Sequence, residues 1–259
     1  MFTPSAYPAA PAYQSPYKSA DTRARVVRIL LIVGAALNGV MLIFNFIHFM
    51  APGTVITDDA TDPTIIILAL MEGGVALMSM GVYIATIVFF LMWMYRAFEN
   101  LPAFGVHRGS VAYSSGWAIG SWFIPFVSLL VPYRATKELW NKSVPNTGTM
   151  FSELSPPAFF PIWWAFWLLS NFASNIYFRA TISQEMSPET DAIFGAVTSI
   201  LSIVAALLAM KVVAEIDKQQ TESASMIGQG ATTEPPLPDR FMNQPPAQSP
   251  NQASETPSF

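Results

Sequence analysis

A chain of 259 residues with 52% hydrophobic and only 12% charged positions is too poor in charge for an ordinary soluble domain, which carries about 25%. That deficit, with a positive mean hydropathy, makes lipid the solvent for much of the chain. The formal net charge of -4 comes without any basic run that could track phosphates, so nucleic acid is not an expected partner. Zero cysteines exclude a disulfide framework and any cysteine-ligated metal, and the two histidines, His48 and His107, are far apart in the chain.

Residues 1–25 read as a disordered N-terminal tail. The first seventeen are uncharged and rich in Pro, Ala and Tyr, which is not the n-region of a secretory signal. The apolar run Val26–Met50 is entered through Arg23, Arg25 and Arg28 and is long enough for a retained span, since about 20 residues cross the hydrocarbon core. Residues 51–63 form a turn-rich loop with Asp58, Asp59 and Asp62. Thr64–Arg96 is apolar over roughly 48 Å of helix, so it must tilt, bend at Gly73-Gly74 or project beyond a bilayer. Residues 156–178 form a third apolar run with tryptophans crowded at its start, and 192–213 a fourth that continues into Lys211, Glu215, Asp217 and Lys218. Residues 26–220 are thus expected to be a membrane helix bundle. Residues 221–259, rich in Pro, Gln, Ser and Thr, are expected to be a disordered tail.

Residues 111–131 admit two readings, a re-entrant or in-plane helix and a fifth span. Charge separates them, because Lys and Arg favour the cytoplasmic side. If the segment returns, Lys18, Arg23, Arg25, Arg28, Arg96, Arg108, Arg134, Lys137, Lys142, Lys211, Lys218 and Arg240 all lie inside with both termini, and only Arg179 lies outside. If it crosses, that bias vanishes. The expectation is therefore an all-α polytopic membrane bundle of four spans plus one re-entrant or interfacial helix, with five spans as the alternative. Within the segment, Ser114, Ala118, Ser121, Pro125, Ser128, Pro132 and Ala135 fall on one helical face. Gly116 and Gly120 have the spacing that lets membrane helices approach closely, and Pro125 can break the helix.

Three motif blocks carry a resemblance. They are a helix end with Trp93, Arg96 and Asn100; a Gly-Trp-Ala-x-Gly-x-Trp-Phe-Ile-Pro run with Gly116, Trp117, Gly120, Trp122 and Pro125; and a Pro-Tyr-x-x-x-x-Glu-Leu-Trp run with Pro132, Tyr133, Glu138 and Trp140. Over residues 26–220 the chain resembles the bacterial membrane family called domain of unknown function 4328. The later run Trp163–Asn171 and the exit into Gln219-Gln220 fit as well. Ser115 and Ser128 depart from residues common in relatives. The resemblance implies a helical membrane fold and an inner-membrane address, and no activity.

The candidate sites follow. Glu72 is the only acid inside an apolar run, and an ionisable residue there is a functional hypothesis by default. It lies roughly 32 Å along the helix from Trp93, which puts it at the outer interface. Gly34, Asn38, Met41, Asn45 and His48 make a polar stripe on the first run. Asn171, Ser174 and Asn175 do so on the third, and Gly195, Ser199, Ser202, Ala206 and Ala209 on the last. Bundle packing and a solute path both use such stripes. Arg96, Arg108, Arg134 and Lys137 are candidates for contact with an anionic lipid or a partner. Trp93, Trp122, Tyr133 and Trp140 read as interface anchors. Glu99 beside His107 is the one local acid–base pairing, and no catalytic, cofactor or metal constellation is visible. Pro235–Arg240 has a Pro-x-x-Pro-x-Arg shape without further support. The expected function is a non-enzymatic membrane scaffold or interaction protein, in contact with the bilayer and with itself or a membrane partner. The alternative is a small-solute or ion transporter or channel using the polar stripes and Glu72.

Overall fold

The computed structural model describes residues 16–51, 62–145, 155–183 and 186–232. The expected tail segments 1–15 and 233–259, the Asp58 and Asp59 loop and the Pro235–Arg240 motif lie outside the described residues. Among the described residues there are six α-helices: α1 (Asp21–Met50), α2 (Pro63–Glu99), α3 (Ser115–Gly120), α4 (Val131–Lys142), α5 (Phe159–Ser183) and α6 (Pro188–Thr232). No strand occurs among the described residues.

Local chemistry sets the helix ends. Asp62 caps α2 by accepting the Thr64 N–H at 2.8 Å, with Pro63 in the first turn, where its missing donor costs nothing. Ser187 does the same for α6 through the Thr190 N–H at 3.3 Å, followed by Pro188 and the acids Glu189 and Asp191. α2 runs unbroken through Gly73-Gly74 and ends at Asn100. A 3₁₀ turn over Leu101–Phe104 follows, closed by Gly105 at φ 80, a left-handed position suited to glycine.

The helical bundle extends past both expected limits. α1 begins at Asp21 with an Asp21–Arg25 ion pair at 2.9 Å, and Ala20 and Ala24 are buried. α6 reaches Thr232, with Ser223 buried in its last third. At 45 residues α6 is roughly 68 Å long, about twice the thickness of a hydrocarbon core.

The long helices lie in a row. α1 packs along both α2 and α6, α6 packs along α5, and α2 and α5 at the two ends do not pack along one another. α1 meets α6 closely: a β-carbon on Gly195 would collide with the Asn45 amide. The fully packed core gathers at one end of the bundle, the motif end, around Trp93, Phe104, Leu139, Phe160, Val212 and Ile216. Three described helical stretches are long and apolar enough to cross a membrane, within Asp21–Met50, Pro63–Phe104 and Pro188–Gly228. α5 has 25 residues but is not among them, because its tryptophans and the amides of Asn171 and Asn175 lower its hydropathy.

Residues 111–131 do not form the single amphipathic helix that their spacing suggests. α3 ends in a 3₁₀ turn at Ser121–Phe123, the backbone extends at Ile124, Phe126 sits at φ 64, and a second 3₁₀ turn leads into α4. The one-face stripe from Ser114 to Ala135 therefore has no continuous helix to sit on. The Gly116/Gly120 spacing brings no close helix contact either, since a β-carbon at each would have nothing within 4 Å. The chain instead makes a hairpin whose ends meet. Glu138 accepts the N–H groups of Ala112 at 2.6 Å and Tyr113 at 3.1 Å, and Lys142 bonds the Ser110 carbonyl while pairing with Glu138 at 3.0 Å.

Asp217 lies four residues past the last apolar run, 7% exposed, with one carboxylate oxygen lacking a hydrogen-bond partner. Burial pushes its carboxyl above the usual aspartate range and the charge of Asp21 adds to this, while Arg28 opposes it. The folded protein therefore binds this proton more tightly than the unfolded chain. The associated stability is present below the unfolded pKa and is lost as pH rises through the raised one. Asp217→Asn should melt at a higher temperature than the wild type at mildly alkaline pH, with the gap closing in acid. Equal midpoints at both pH values would contradict the assignment.

Candidate functional site: a neutral cavity above an aromatic and polar cradle

At the motif end is a buried polar knot. Gln220, 1% exposed, donates from Nε2 to the Ala97 carbonyl at 2.9 Å and to Ser143 Oγ at 3.0 Å, and accepts from Asn100 Nδ2 at 3.3 Å. Asn100 Oδ1 takes the Lys18 backbone N–H at 3.2 Å, and Ser223 Oγ donates to the Ser143 carbonyl at 2.8 Å. The knot joins the start of the described chain, the end of α2, the end of α4 and the last third of α6. Asn100 was visible as a motif residue, and Gln220 as the glutamine of the helix exit. The roles of Ser143 and Ser223 had no sequence signal.

The hairpin tip closes the open row. Trp122 packs edge-on against Phe90 of α2 at 5.4 Å and against Trp164 and Trp167 of α5 at 5.9 and 5.3 Å. Tyr133 stacks on Trp164, whose Nε1 donates to the Leu129 carbonyl at 3.1 Å. Trp140 packs on Phe160. Trp93 has no exposed surface, so it is core rather than an interface anchor. Pro132 occupies the first turn of α4 and Pro125 the bend at the tip, while Trp117 remains half-exposed.

Beyond this aromatic layer lies a cavity of about 770 Å³, floored by α1 and α6 and flanked by α2 and α5. Asn38, Thr86, Asn171, Ser174, Asn175 and Ser202 supply its polar wall. The structure thus brings the three stripes together in part. Gly34, Asn38, Ser202, Ala206 and Ala209 face the cavity with α5, whereas Asn45 and Gly195 serve helix packing. No carboxylate, imidazole, ammonium or guanidinium lines it among the described residues.

Glu72 is elsewhere. Its carboxylate lies 3.6 Å from His48 Nε2, tying α2 to α1 away from the motif end, and it is not on the cavity wall. Among the candidate cations, Arg108 pairs with Glu99 at 3.2 Å. Arg96, Arg134 and Lys137 form no ion pair among the described residues, and Arg134 is exposed. Glu99 also accepts from Ser115 Oγ at 2.7 Å, while His107 Nδ1 caps its own turn by accepting the Gly109 N–H. The expected His107–Glu99 pairing is therefore not formed.

The family model described as a domain of unknown function (DUF4328) matches residues 59–218. Neither a curated protein nor a solved structure matches the chain.

Proposed function

The chain belongs to the DUF4328 family, and we propose that it is a non-enzymatic membrane scaffold of four spans with one re-entrant hairpin, seated in the cell membrane with both termini inside. The observation that carries this reading is the return of residues 101–143 to the end they left. Ser143 is tied to Ala97 through Gln220, and the hairpin base is clamped by Glu138. A span would have moved Ser143 about 30 Å from Ala97.

The tip of the hairpin is apolar and exposed at Phe123 and Phe126, the surface a re-entrant loop presents to lipid, whereas its base is polar. The broken backbone at the tip keeps its polar groups paired locally, the Ile124, Pro125 and Phe126 carbonyls accepting the Ser128, Val127 and Leu129 N–H groups. With this topology every Lys and Arg of the chain except Arg179 lies inside. α5 is then the fourth span, its tryptophans at the inner boundary.

Arg96, Arg134 and Lys137 share the motif end with the polar knot, and basic groups at an inner face attract anionic head groups. Replacing all three with alanine should weaken retention of phosphatidylglycerol on the purified protein by on the order of a hundredfold, at about 1 kcal/mol per cation. Unchanged retention in a folded variant would remove head-group binding from the account.

The cavity supports a second reading, passage of a small uncharged solute. An ion- or proton-coupled version of it lacks its acid, since Glu72 pairs with His48 off the cavity wall.

A further inference from the structure

The cavity is open on one side, and that side would face lipid. α2 and α5 flank it without packing along one another, and its rim residues Tyr83 and Phe178 are more than half exposed. If the four helices span, as proposed above, Ser174 and Asn175 stand exposed in a groove that the rest of the bundle leaves uncovered. Bare amide and hydroxyl groups facing hydrocarbon are costly, so the groove requires an occupant with polar groups of its own.

The hydrogen bonds within the wall say which polar groups. Asn38 Nδ2 donates to the Gly34 carbonyl at 2.8 Å, Asn171 Nδ2 to the Trp167 carbonyl at 2.7 Å, and Asn175 Nδ2 to the Asn171 carbonyl at 3.4 Å. A carbonyl oxygen can only accept, so one N–H of each amide is committed to its own helix, and the second N–H and the amide oxygen remain for a guest. Thr86 and Ser170 likewise donate to backbone carbonyls, of Val82 and Trp167. The wall therefore offers uncharged donors and acceptors together, which suits a guest group that can both donate and accept, as a hydroxyl does. It offers no charge, so a charged head group would enter without a counter-ion at a large desolvation cost. The remaining surface is apolar and aromatic, from Leu30, Ile87, Phe90 and Phe178.

We infer that this groove is a binding site for an uncharged, hydroxyl-bearing lipid, which enters sideways between α2 and α5, places its apolar chain against the aromatic wall and donates its hydroxyl to the amide oxygens of Asn38 and Asn171. A diacylglycerol and a long-chain prenyl alcohol share this chemistry. A cavity of this size is ordinary for a ligand of lipid-chain dimensions.

The test uses the full chain in phosphatidylcholine nanodiscs doped with a dioleoylglycerol that carries a diazirine on one acyl chain. Photolabel should map to the groove faces of α2 and α5. It should be displaced by unlabelled dioleoylglycerol or by a polyprenol, whichever is the better donor-bearing guest, and not by the methyl ether of dioleoylglycerol or by phosphatidylglycerol. Asn171→Leu should reduce labelling about tenfold, the value of one lost hydrogen bond to a buried group. Ser174→Leu, at an exposed position that cannot disturb the core, should narrow the groove and reduce it as well.

Equal competition by the methyl ether would overturn the proposal, as would label spread around the whole bundle. So would modification of Ser174→Cys by a water-soluble thiol reagent without protection by dioleoylglycerol, which marks a water-filled vestibule. A disulfide between two copies at Ser174→Cys would assign the groove to a second chain instead. Failure of the four-span reading shows separately, in the sidedness of cysteines placed outside the groove.

Discussion

Gln220→Leu should destabilise the protein by about 2–5 kcal/mol, because it strands buried partners rather than removing one contact. Leucine nearly matches glutamine in volume, so packing is retained and the loss is polar. Asn100 Nδ2 and the Ala97 carbonyl lose their Gln220 partner, and both residues are essentially without exposed surface, while Ser143 Oγ keeps its bond to the Leu139 carbonyl. Each buried polar group left unpaired costs about 1–3 kcal/mol. Of the polar ties between the four pieces that the knot joins, only Lys18 N–H to Asn100 and Ser223 to the Ser143 carbonyl would remain. Chemical denaturation in detergent, followed by near-ultraviolet circular dichroism, reads the effect. The exposed neighbour Glu222→Ala is the control and should leave the midpoint unchanged. If Gln220→Leu unfolds with the control, the knot does not hold the motif end together.

Trp122→Ala should have an effect of similar size, about 3–5 kcal/mol for an aromatic deletion from a packed cluster, and of a different kind. Trp122 is the side chain through which the hairpin touches α2 and α5 together. Removing it leaves the outer helices of the row without their bridge at that level and joins the void to the neighbouring cavity. The hairpin should become open to limited proteolysis while α1 and α6 keep their protection. Its Nε1 is buried without a hydrogen-bond partner, so Trp122→Phe loses no hydrogen bond and should recover most of the stability. Equal loss in the alanine and phenylalanine variants would show that shape at this position matters more than the aromatic contact.

Several of these features were legible in the sequence, each for a physical reason. The long apolar runs of α1, α2 and α6 declare themselves, because lipid-facing helices are apolar all round. The charges of Arg134, Lys137 and Lys142 pointed to a segment that returns, and the structure brings its two ends, Ala97 and Ser143, onto one glutamine. The break at Ile124–Phe126 was only half readable: Pro125 announces a disturbed helix, but nothing at Phe126 announces a left-handed backbone. For that reason the stripe of small residues from Ser114 to Ala135 misled, since i, i+4 spacing means a shared face only where the helix continues. Gly116 and Gly120 misled in the same way.

The polar stripes on α1, α5 and α6 were visible one helix at a time. Their convergence depends on helix order, which periodicity does not encode. Trp93 looked like an anchor because tryptophan suits both an interface and a core, and only the packing of Phe90 and the hairpin around it decides which. Glu72 was placed at the outer interface by its distance from Trp93 alone, and its pairing with His48 required the register of α1 against α2. The Gln220 knot was the least legible, because it draws on residues 18, 97, 100, 143, 220 and 223. Long-range polar contacts of this kind leave no local pattern.

The central claim is that the chain between Asn100 and Ser143 enters and leaves on one side. Ser143 itself is buried, so labelling there would report burial rather than sidedness. The exposed positions Ser110, Ser155, Ser183 and Ser225 serve instead, and the absence of native cysteine makes each single-cysteine variant clean. In intact cells treated with a membrane-impermeant maleimide, Ser183→Cys should label, whereas Ser110→Cys, Ser155→Cys and Ser225→Cys should label only after permeabilisation. Labelling of Ser155→Cys in intact cells while Ser110→Cys stays protected would mean that the hairpin segment crosses the membrane, and the four-span account would be wrong.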